Sequence, residues 1–465
     1  MILIIPMAFF PFITLSEGST RIFSSDAPDT IFFNGTIITM EEYIPFVEAI
    51  AIKGNLITAI GNESEIISLG DSHTCYIDLQ GKTMVPGFID AHAHWIGDRG
   101  LANQSEVEEV METLVSNGWT SISELFVNQD RLNELQALDT ADLLRVRVNA
   151  YLPLSYGFDR FGDWYQAYQP GYEYSNKLRI AGVKIFADGW IFNPVLYFNQ
   201  SELEGLFQEA HNRGFQIAVH SVVANATDVV LNAFENVLGN DSNTLRHRME
   251  HLLLLRDDQI ARLAALGILG CIQFPWANSD WIGNDFGDTT GLMARWRELL
   301  DAGVHVMGST DHPYTFIGLK SPLEAISTVV TRVGFEGQPP LDYMLNQTIT
   351  AEEALRLLTV DAAYGTFQED VKGSIKEGKF ADLVILSDNP LAIPEQDIIN
   401  VTILMTVIGG EKEYQAGDFT PECVNLTSTS TQTSPTTFPI SIPAPAFTAF
   451  LAIIVFYHYR KKRRQ

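Results

Sequence analysis

Between residues 83 and 310 the chain alternates two hydrophobic periods, and this alternation constrains its fold more than any single residue does. Apolar, strand-like runs occupy 83–92, 120–126, 146–153, 179–187, 215–221, 246–254, 268–274 and 303–310. Helix-like segments with acidic starts and glycine stops separate most of them, as at 201–213 before Gly214, 257–266 before Gly267 and 292–302 before Gly303. Eight such units over residues 85–364 suit one (β/α)8 TIM barrel better than a doubly wound sheet. No glycine-rich phosphate loop follows any of the runs, which weighs against a dinucleotide-binding fold.

The flanks read differently. Residues 29–84 alternate short apolar runs with Asn34-Gly35 and Gly54-Asn55 turns, the pattern of paired antiparallel strands. A similar pattern returns at 373–415, around Phe380–Leu386 and Val401–Ile408.

Charge narrows the partners. Thirty Lys and Arg oppose 57 Asp and Glu, a formal charge of −27. Five of the cations form the terminal cluster Arg460, Lys461, Lys462, Arg463 and Arg464, and removing those five from −27 leaves −32 on the rest. A body this acidic repels phosphate backbones, so no nucleic-acid partner is expected.

The two ends suggest an address. Residues 1–18 hold a short apolar run that resembles a signal peptide, although it lacks a basic start and contains two prolines. An apolar N-terminal strand is the alternative. Residues 424–439 are rich in Ser, Thr and Pro, as in an extended stalk. Residues 440–459 match the thickness of a bilayer and precede the basic tail at 460–465. A transmembrane helix in a single-pass type I arrangement is therefore expected, with a GPI signal as the runner-up. Nine Asn-X-Ser/Thr sequons, at Asn34, Asn62, Asn103, Asn199, Asn225, Asn240, Asn346, Asn400 and Asn425, fit passage through a glycosylating pathway. Cys75, Cys271 and Cys423 are too few for a disulfide scaffold, and an odd count leaves at least one thiol free.

Six residues carry the chemistry, each on a proposed barrel strand or at its C-terminal end. His92 and His94 lie in Val85-Pro-Gly-Phe-Ile-Asp-Ala-His-Ala-His94, where a spacing of two puts both imidazoles on one face. His220 ends Phe215-Gln-Ile-Ala-Val-His220, His251 ends Arg248-Met-Glu-His251, and Asp311 ends Met307-Gly-Ser-Thr-Asp311. Four His and one Asp at one end of a barrel form a divalent-metal set, and active sites of this fold lie at that end. Lys184, in Gly182-Val-Lys184-Ile-Phe186, is the sixth, because a lysine in an apolar strand is rarely buried without a partner. Any one of these histidines alone would be an ordinary core residue, and Lys184 alone could face outward. His305 falls at the barrel floor, and His73, His211 and His247 fall in a loop, a helix and a strand start. His312 could touch substrate, and Glu124 could support the site from behind. Trp95, Trp190 and Trp276 could line an apolar pocket mouth or simply pack loops.

At these residues the chain resembles the amidohydrolase superfamily, in its family 3 branch of metal-dependent hydrolases. The matches run from Asn34-Gly-Thr-Ile-Ile-Thr-Met40 through Gly81–His94, Gly182–Gly189, Met249-Glu-His251 and Gly308-Ser-Thr-Asp311 to Gly373–Leu386. The resemblance implies a metal-dependent barrel with a composite β-sandwich built from both flanks, here 27–84 and 365–415. It places His92, His94, His220, His251 and Asp311 at the metal, and Lys184 where a carboxylated lysine bridges two metals in several branches. Bringing the two flanks together would also set Cys75 beside Cys423 as a disulfide, leaving Cys271 a buried thiol. Two departures stand out. The long insert usual after His-X-His is missing, and Ser221-Val-Val-Ala-Asn225 lacks the usual Gly-Asp after the fifth-strand histidine.

The expectation is a membrane-anchored, outward-facing hydrolase of a carbon–nitrogen bond in a small amide-type substrate. It would use one or two divalent ions, zinc first, with Asp311 as catalytic proton carrier. Deamination or ester hydrolysis in the same site, or a catalytically silent receptor ectodomain, are the competing readings. The topology predicts that cutting after residue 424 releases a folded, glycosylated protein into solution. Retention of that product on membranes, or protease access to 460–465 from outside the cell, would contradict it.

Overall fold

A computed structural model of the chain describes residues 27–96, 104–277, 291–314, 321–334 and 337–424. The expected signal segment 1–18, the membrane helix 440–459, the tail 460–465 and all but the first residue of the stalk lie outside the described residues. Among the described residues no helix is long and apolar enough to cross a membrane.

Eight parallel strands form the barrel sheet: β1 (Phe88–Ala93), β2 (Trp119–Glu124), β3 (Arg147–Pro153), β4 (Leu178–Phe186), β5 (Gln216–Ser221), β6 (Arg248–His251), β7 (Leu269–Gln273) and β8 (Val306–Ser309). Consecutive strands pair in order from β1 to β8. The seam between β8 and β1 closes at the rim, where the Asp311 N–H donates to the His92 carbonyl and the His94 N–H to the His312 carbonyl, both at 2.8 Å. Asp90 reinforces it, accepting from the Thr310 N–H at 2.9 Å.

Local chemistry explains most boundaries. The helix Gln200–Asn212 starts in a capping box, with Asn199 and Glu202 each taking the other's backbone N–H. Asp257–Leu266 stops at Gly267, whose φ of 63° is left-handed. The expected helix at 292–302 is shorter, Trp296–Asp301, because Met293 is spent on a bridge to Leu254 and Ala294 turns at φ 49°. The run 83–92 is not one strand. Thr83–Pro86 belongs to the flanking β structure, and the barrel strand starts after Gly87. A Cβ at Gly87 would meet Thr120 Oγ1 at 2.2 Å, so only glycine permits this crossing. The run 246–254 is likewise cut to Arg248–His251, since His251 and Leu252 turn the chain at φ 76° and 47°.

Both flanks build two sheets. Five strands run in the order Cys423–Val424, Cys75–Asp78, Thr30–Phe33, Ala49–Lys53 and Leu56–Gly61. Six run Glu411–Gln415, Ile403–Ile408, Leu383–Leu386, Thr83–Pro86, Thr36–Ile38 and Phe46–Val47. Their shared core mixes Phe32, Ile37 and Ile50 from one flank with Leu383, Ile385 and Met405 from the other. The Gly54-Asn55 turn joins antiparallel partners as expected. The Asn34-Gly35 turn does not: Thr30–Phe33 and Thr36–Ile38 lie in different sheets, and Asn34 at φ 56° carries the chain between them. Cys75 and Cys423 are joined as a disulfide with a Cα–Cα distance of 5.1 Å, and Cys271 is a buried free thiol.

His211 and His247 meet on the barrel's outer wall, Nδ1 to Nε2 at 2.9 Å. His247 Nδ1 accepts from the Ile217 N–H, so its ring is held neutral, and burial followed by the His211 charge pushes its pKa down to about 3. An unfolded histidine titrates near 6.5, so stability is fully present above that pH and drains as pH falls towards about 3. Between pH 6.5 and 4, the melting temperature of the wild type should therefore fall more steeply than that of His247→Gln. Parallel slopes in a thermal-denaturation series would refute this.

Candidate metal centre

The strand ends at the barrel rim bring together the six residues singled out from sequence. His92 and His94 leave β1, and their Nε2 atoms lie 3.4 and 3.5 Å from Asp311 Oδ1. The His251 ring lies 4.9 Å from that of His92 and 4.3 Å from that of His220. His92, His251 and Asp311 form a donor set with ligand atoms all within 4.8 Å of one another, and His94 and His220 flank it. Two of these residues occupy left-handed backbone, His251 at φ 76° and Asp311 at φ 58°. Such positions cost on the order of 1–3 kcal/mol each and concentrate at functional sites.

Lys184 reaches the lumen through an irregularity. The β3–β4 register shifts between Ala150 and Tyr151, opposite Ile180 and Gly182, so Arg179 and Lys184 both face inward despite an odd spacing. Lys184 is fully buried; its Nζ has no hydrogen-bond partner among the described residues and lies 4.8 Å from the Phe186 ring centroid. Burial pushes its pKa down to about 8, against the opposing pull of Glu250 and Asp311.

Hydrogen-bond partners dictate the imidazole tautomers. His92 Nδ1–H donates to Glu250 Oε2 at 2.6 Å, leaving the Nε2 lone pair towards Asp311. His251 Nδ1–H donates to Gln273 Oε1 at 2.8 Å, and its buried Nε2 has no hydrogen-bond partner among the described residues. His220 instead turns Nε2 to the Gly189 carbonyl at 3.2 Å, which leaves Nδ1 as its lone-pair nitrogen. Burial, then the Lys184 charge, lowers His92 far below its ordinary pKa and His220 to about 3. Burial, then His220, does the same for His251. All three rings are neutral at pH 7, the state in which imidazole binds a metal.

Glu250 and Arg248 are site residues that the sequence reading passed over. Arg248 grips the Glu250 carboxylate through Nε at 2.6 Å and Nη2 at 2.7 Å, all of it fully buried. Burial raises the Glu250 pKa, but Arg248 and Lys184 outweigh it and hold the carboxylate ionised. The signal was available: Arg248 and Glu250 are two apart on one strand, hence on one face. Glu124 sits behind the rim, accepting from the Ile96 N–H at 2.9 Å. His312 stacks on Trp95, centroids 3.7 Å apart, and neither is in the described lining of the cavity at the rim, which Trp190 and Trp276 do line. Asp188 also lines it, accepting from the Val222 and Val223 N–H groups, and burial pushes its pKa up to about 7. The cavity measures about 420 Å³.

The donor chemistry fits a divalent ion: neutral imidazoles and a carboxylate converge, and the buried His251 Nε2 among them has no hydrogen-bond partner among the described residues. Glu250 should matter through His92. Glu250→Gln is expected to weaken metal binding about 10–100-fold in chelator competition while the circular dichroism spectrum stays native. Unchanged affinity would remove Glu250 from this role.

Comparison with known proteins agrees with the geometry. The amidohydrolase family pattern matches residues 100–412. The chain is 29% identical over 258 residues to the N-substituted formamide deformylase of Arthrobacter pascens, covering 51% of this chain and 46% of that protein. It is 23% identical to the imidazolonepropionase of Treponema denticola, covering 77% of this chain and 91% of that one. The chain thus spans about half the length of the deformylase and of the Bacillus subtilis amidohydrolase YtcJ. In fold it is similar to an uncharacterized metal-dependent hydrolase of Pyrococcus horikoshii, with a TM-score of 0.66 at 20% identity over 79% of this chain and 99% of that one. The chain belongs to the amidohydrolase family.

Proposed function

We propose that this protein hydrolyses a carbon–nitrogen bond in a small, non-peptide amide-type substrate, with a divalent ion held by His92, His94, His220, His251 and Asp311. One observation carries the reading: the imidazole and carboxylate donors converge at the floor of an open cavity, with His251 Nε2 and Lys184 Nζ buried and unpartnered beside them. Zinc suits the nitrogen-rich donor set. Lys184, partly neutral at physiological pH, is suited to carboxylation, which would make it a further ligand. The bound ion would supply Lewis-acid polarisation of the carbonyl and acidification of water.

The chain's own groups do the rest. Asp311 takes the proton from the attacking water as its oxygen bonds to the carbonyl carbon. Asp311 then returns that proton to the leaving nitrogen as the C–N bond breaks, giving an acid and an amine. Aromatic side chains pack against the imidazoles and build the walls. Phe186 stacks on His220 with centroids 5.1 Å apart, and Trp276 stacks on His251 at 5.1 Å. Tyr156 meets Phe186 edge-on at 5.1 Å, and Trp190 meets Trp276 at 4.8 Å. These walls favour a substrate carrying an apolar or aromatic substituent. The similarity to an N-substituted formamide deformylase supports the same class.

An outward-facing, membrane-anchored setting completes the proposal. All seven described sequon asparagines are exposed, and the Cys75–Cys423 disulfide suits an oxidising compartment.

Asp311→Asn keeps the shape and an oxygen ligand but cannot carry a proton. Its kcat on a chemistry-limited amide should fall by about 10²–10⁴ with near-normal metal content. Retention of more than roughly a third of wild-type turnover would show that the proton travels elsewhere.

A further inference from the structure

We propose that the closed end of the barrel, opposite the metal centre, carries a binding site for a small oxyanion. Strands β2, β3 and β4 send Ser121, Ser123, Arg147, Asn149 and Arg179 into the lowest layer of the lumen, all buried. Their register is set by the sheet: Arg147 lies opposite Ser121, and Asn149 opposite both Ser123 and Arg179. Lys372, also buried, enters from the segment beneath and donates Nζ to Ser121 Oγ at 2.6 Å.

Charge in this layer does not balance. Arg147 is held by Asp382 in a two-pronged pair, at 2.7 and 2.8 Å. Arg179 and Lys372 have no carboxylate within 4.0 Å among the described residues. Arg179 spends Nη1 on the Thr366 carbonyl, and its buried Nε has no hydrogen-bond partner among the described residues. Asn149 Nδ2 is likewise buried and unpartnered. Both residues line a cavity of about 160 Å³, together with Arg147, Lys177 and Gln368. The Gln368 amide oxygen is a third buried atom there without a partner, and exchanging its oxygen and nitrogen would point a donor inward. Glu173 is the one acidic residue in the described lining, and it is exposed.

Ordered water could satisfy the amides but would leave the buried Arg179 guanidinium uncompensated, whereas Lys372, its pKa pushed far down by burial, can stay neutral. A small oxyanion supplies both the acceptors and the charge. Nor is this a general attraction to anions, since the protein is strongly acidic. The site is separate from the chemistry: Arg179 and Lys184 sit on the same strand, five residues apart.

The test uses the full chain, treated with chelator so that anions cannot bind a metal. Inorganic phosphate, sulfate and acetate are each titrated at ionic strength held constant with sodium chloride, and the melting temperature is followed. At least one oxyanion should raise it saturably, and the three arms separate tetrahedral anions from carboxylates. The effect should persist in His251→Ala and weaken at least tenfold in apparent affinity in Arg179→Gln. Should Arg179→Gln not fold, Asn149→Ala and Gln368→Leu give the same readout. Oxyanions indistinguishable from chloride would show a site filled by water alone and overturn the proposal. So would a shift lost in His251→Ala and kept in the floor variants.

Discussion

The barrel closes through the backbone of the residues proposed to hold the metal. A sheet of eight strands leaves two unpaired edges unless the last strand meets the first. Here that junction is the Asp311 N–H on the His92 carbonyl and the His94 N–H on the His312 carbonyl. Asp90, fully buried, accepts from both the N–H and the hydroxyl of Thr310, so a side chain of β1 also holds the end of β8. Closure and the placement of the proposed metal ligands are therefore one event. A change that opens the seam also pulls the first two histidines away from Asp311.

Behind this rim stands a buried ion pair. Arg248 and Glu250 lose their hydration entirely, a cost that their two hydrogen bonds and the surrounding contacts must offset. What the arrangement secures is orientation: an ionised Glu250 fixes the His92 tautomer, and Arg248 also donates to the Ala91 carbonyl at 2.8 Å, next to the ligand strand. The network thus joins β6 to β1 across the lumen and positions the imidazole that faces Asp311.

Much of this was legible in the residues. The alternating periods located all eight barrel strands, and strand-end histidines plus Asp311 located the rim, because strand direction alone assigns side chains to one end. The disulfide followed from folding the two flanks together. The failures share a cause: backbone irregularity breaks the period of two on which such reading relies. Strict alternation puts Glu250 and His251 on opposite faces, but the left-handed turn at His251 brings both to His92. The shifted register of β3 and β4 lets Arg179 and Lys184 share the lumen. Asn34 sends its neighbours into separate sheets instead of a hairpin. Gly87 marks a break inside one apolar run, where hydrophobicity carries no signal.

These side chains, in this geometry, are proposed to hold a divalent ion. Anomalous diffraction at the zinc edge, from crystals of zinc-loaded protein, tests it directly. A peak is expected at about 2.0–2.2 Å from Nε2 of His92 and of His251 and from a carboxylate oxygen of Asp311. A zinc-saturated crystal with its peaks elsewhere, and none among these residues, would contradict it.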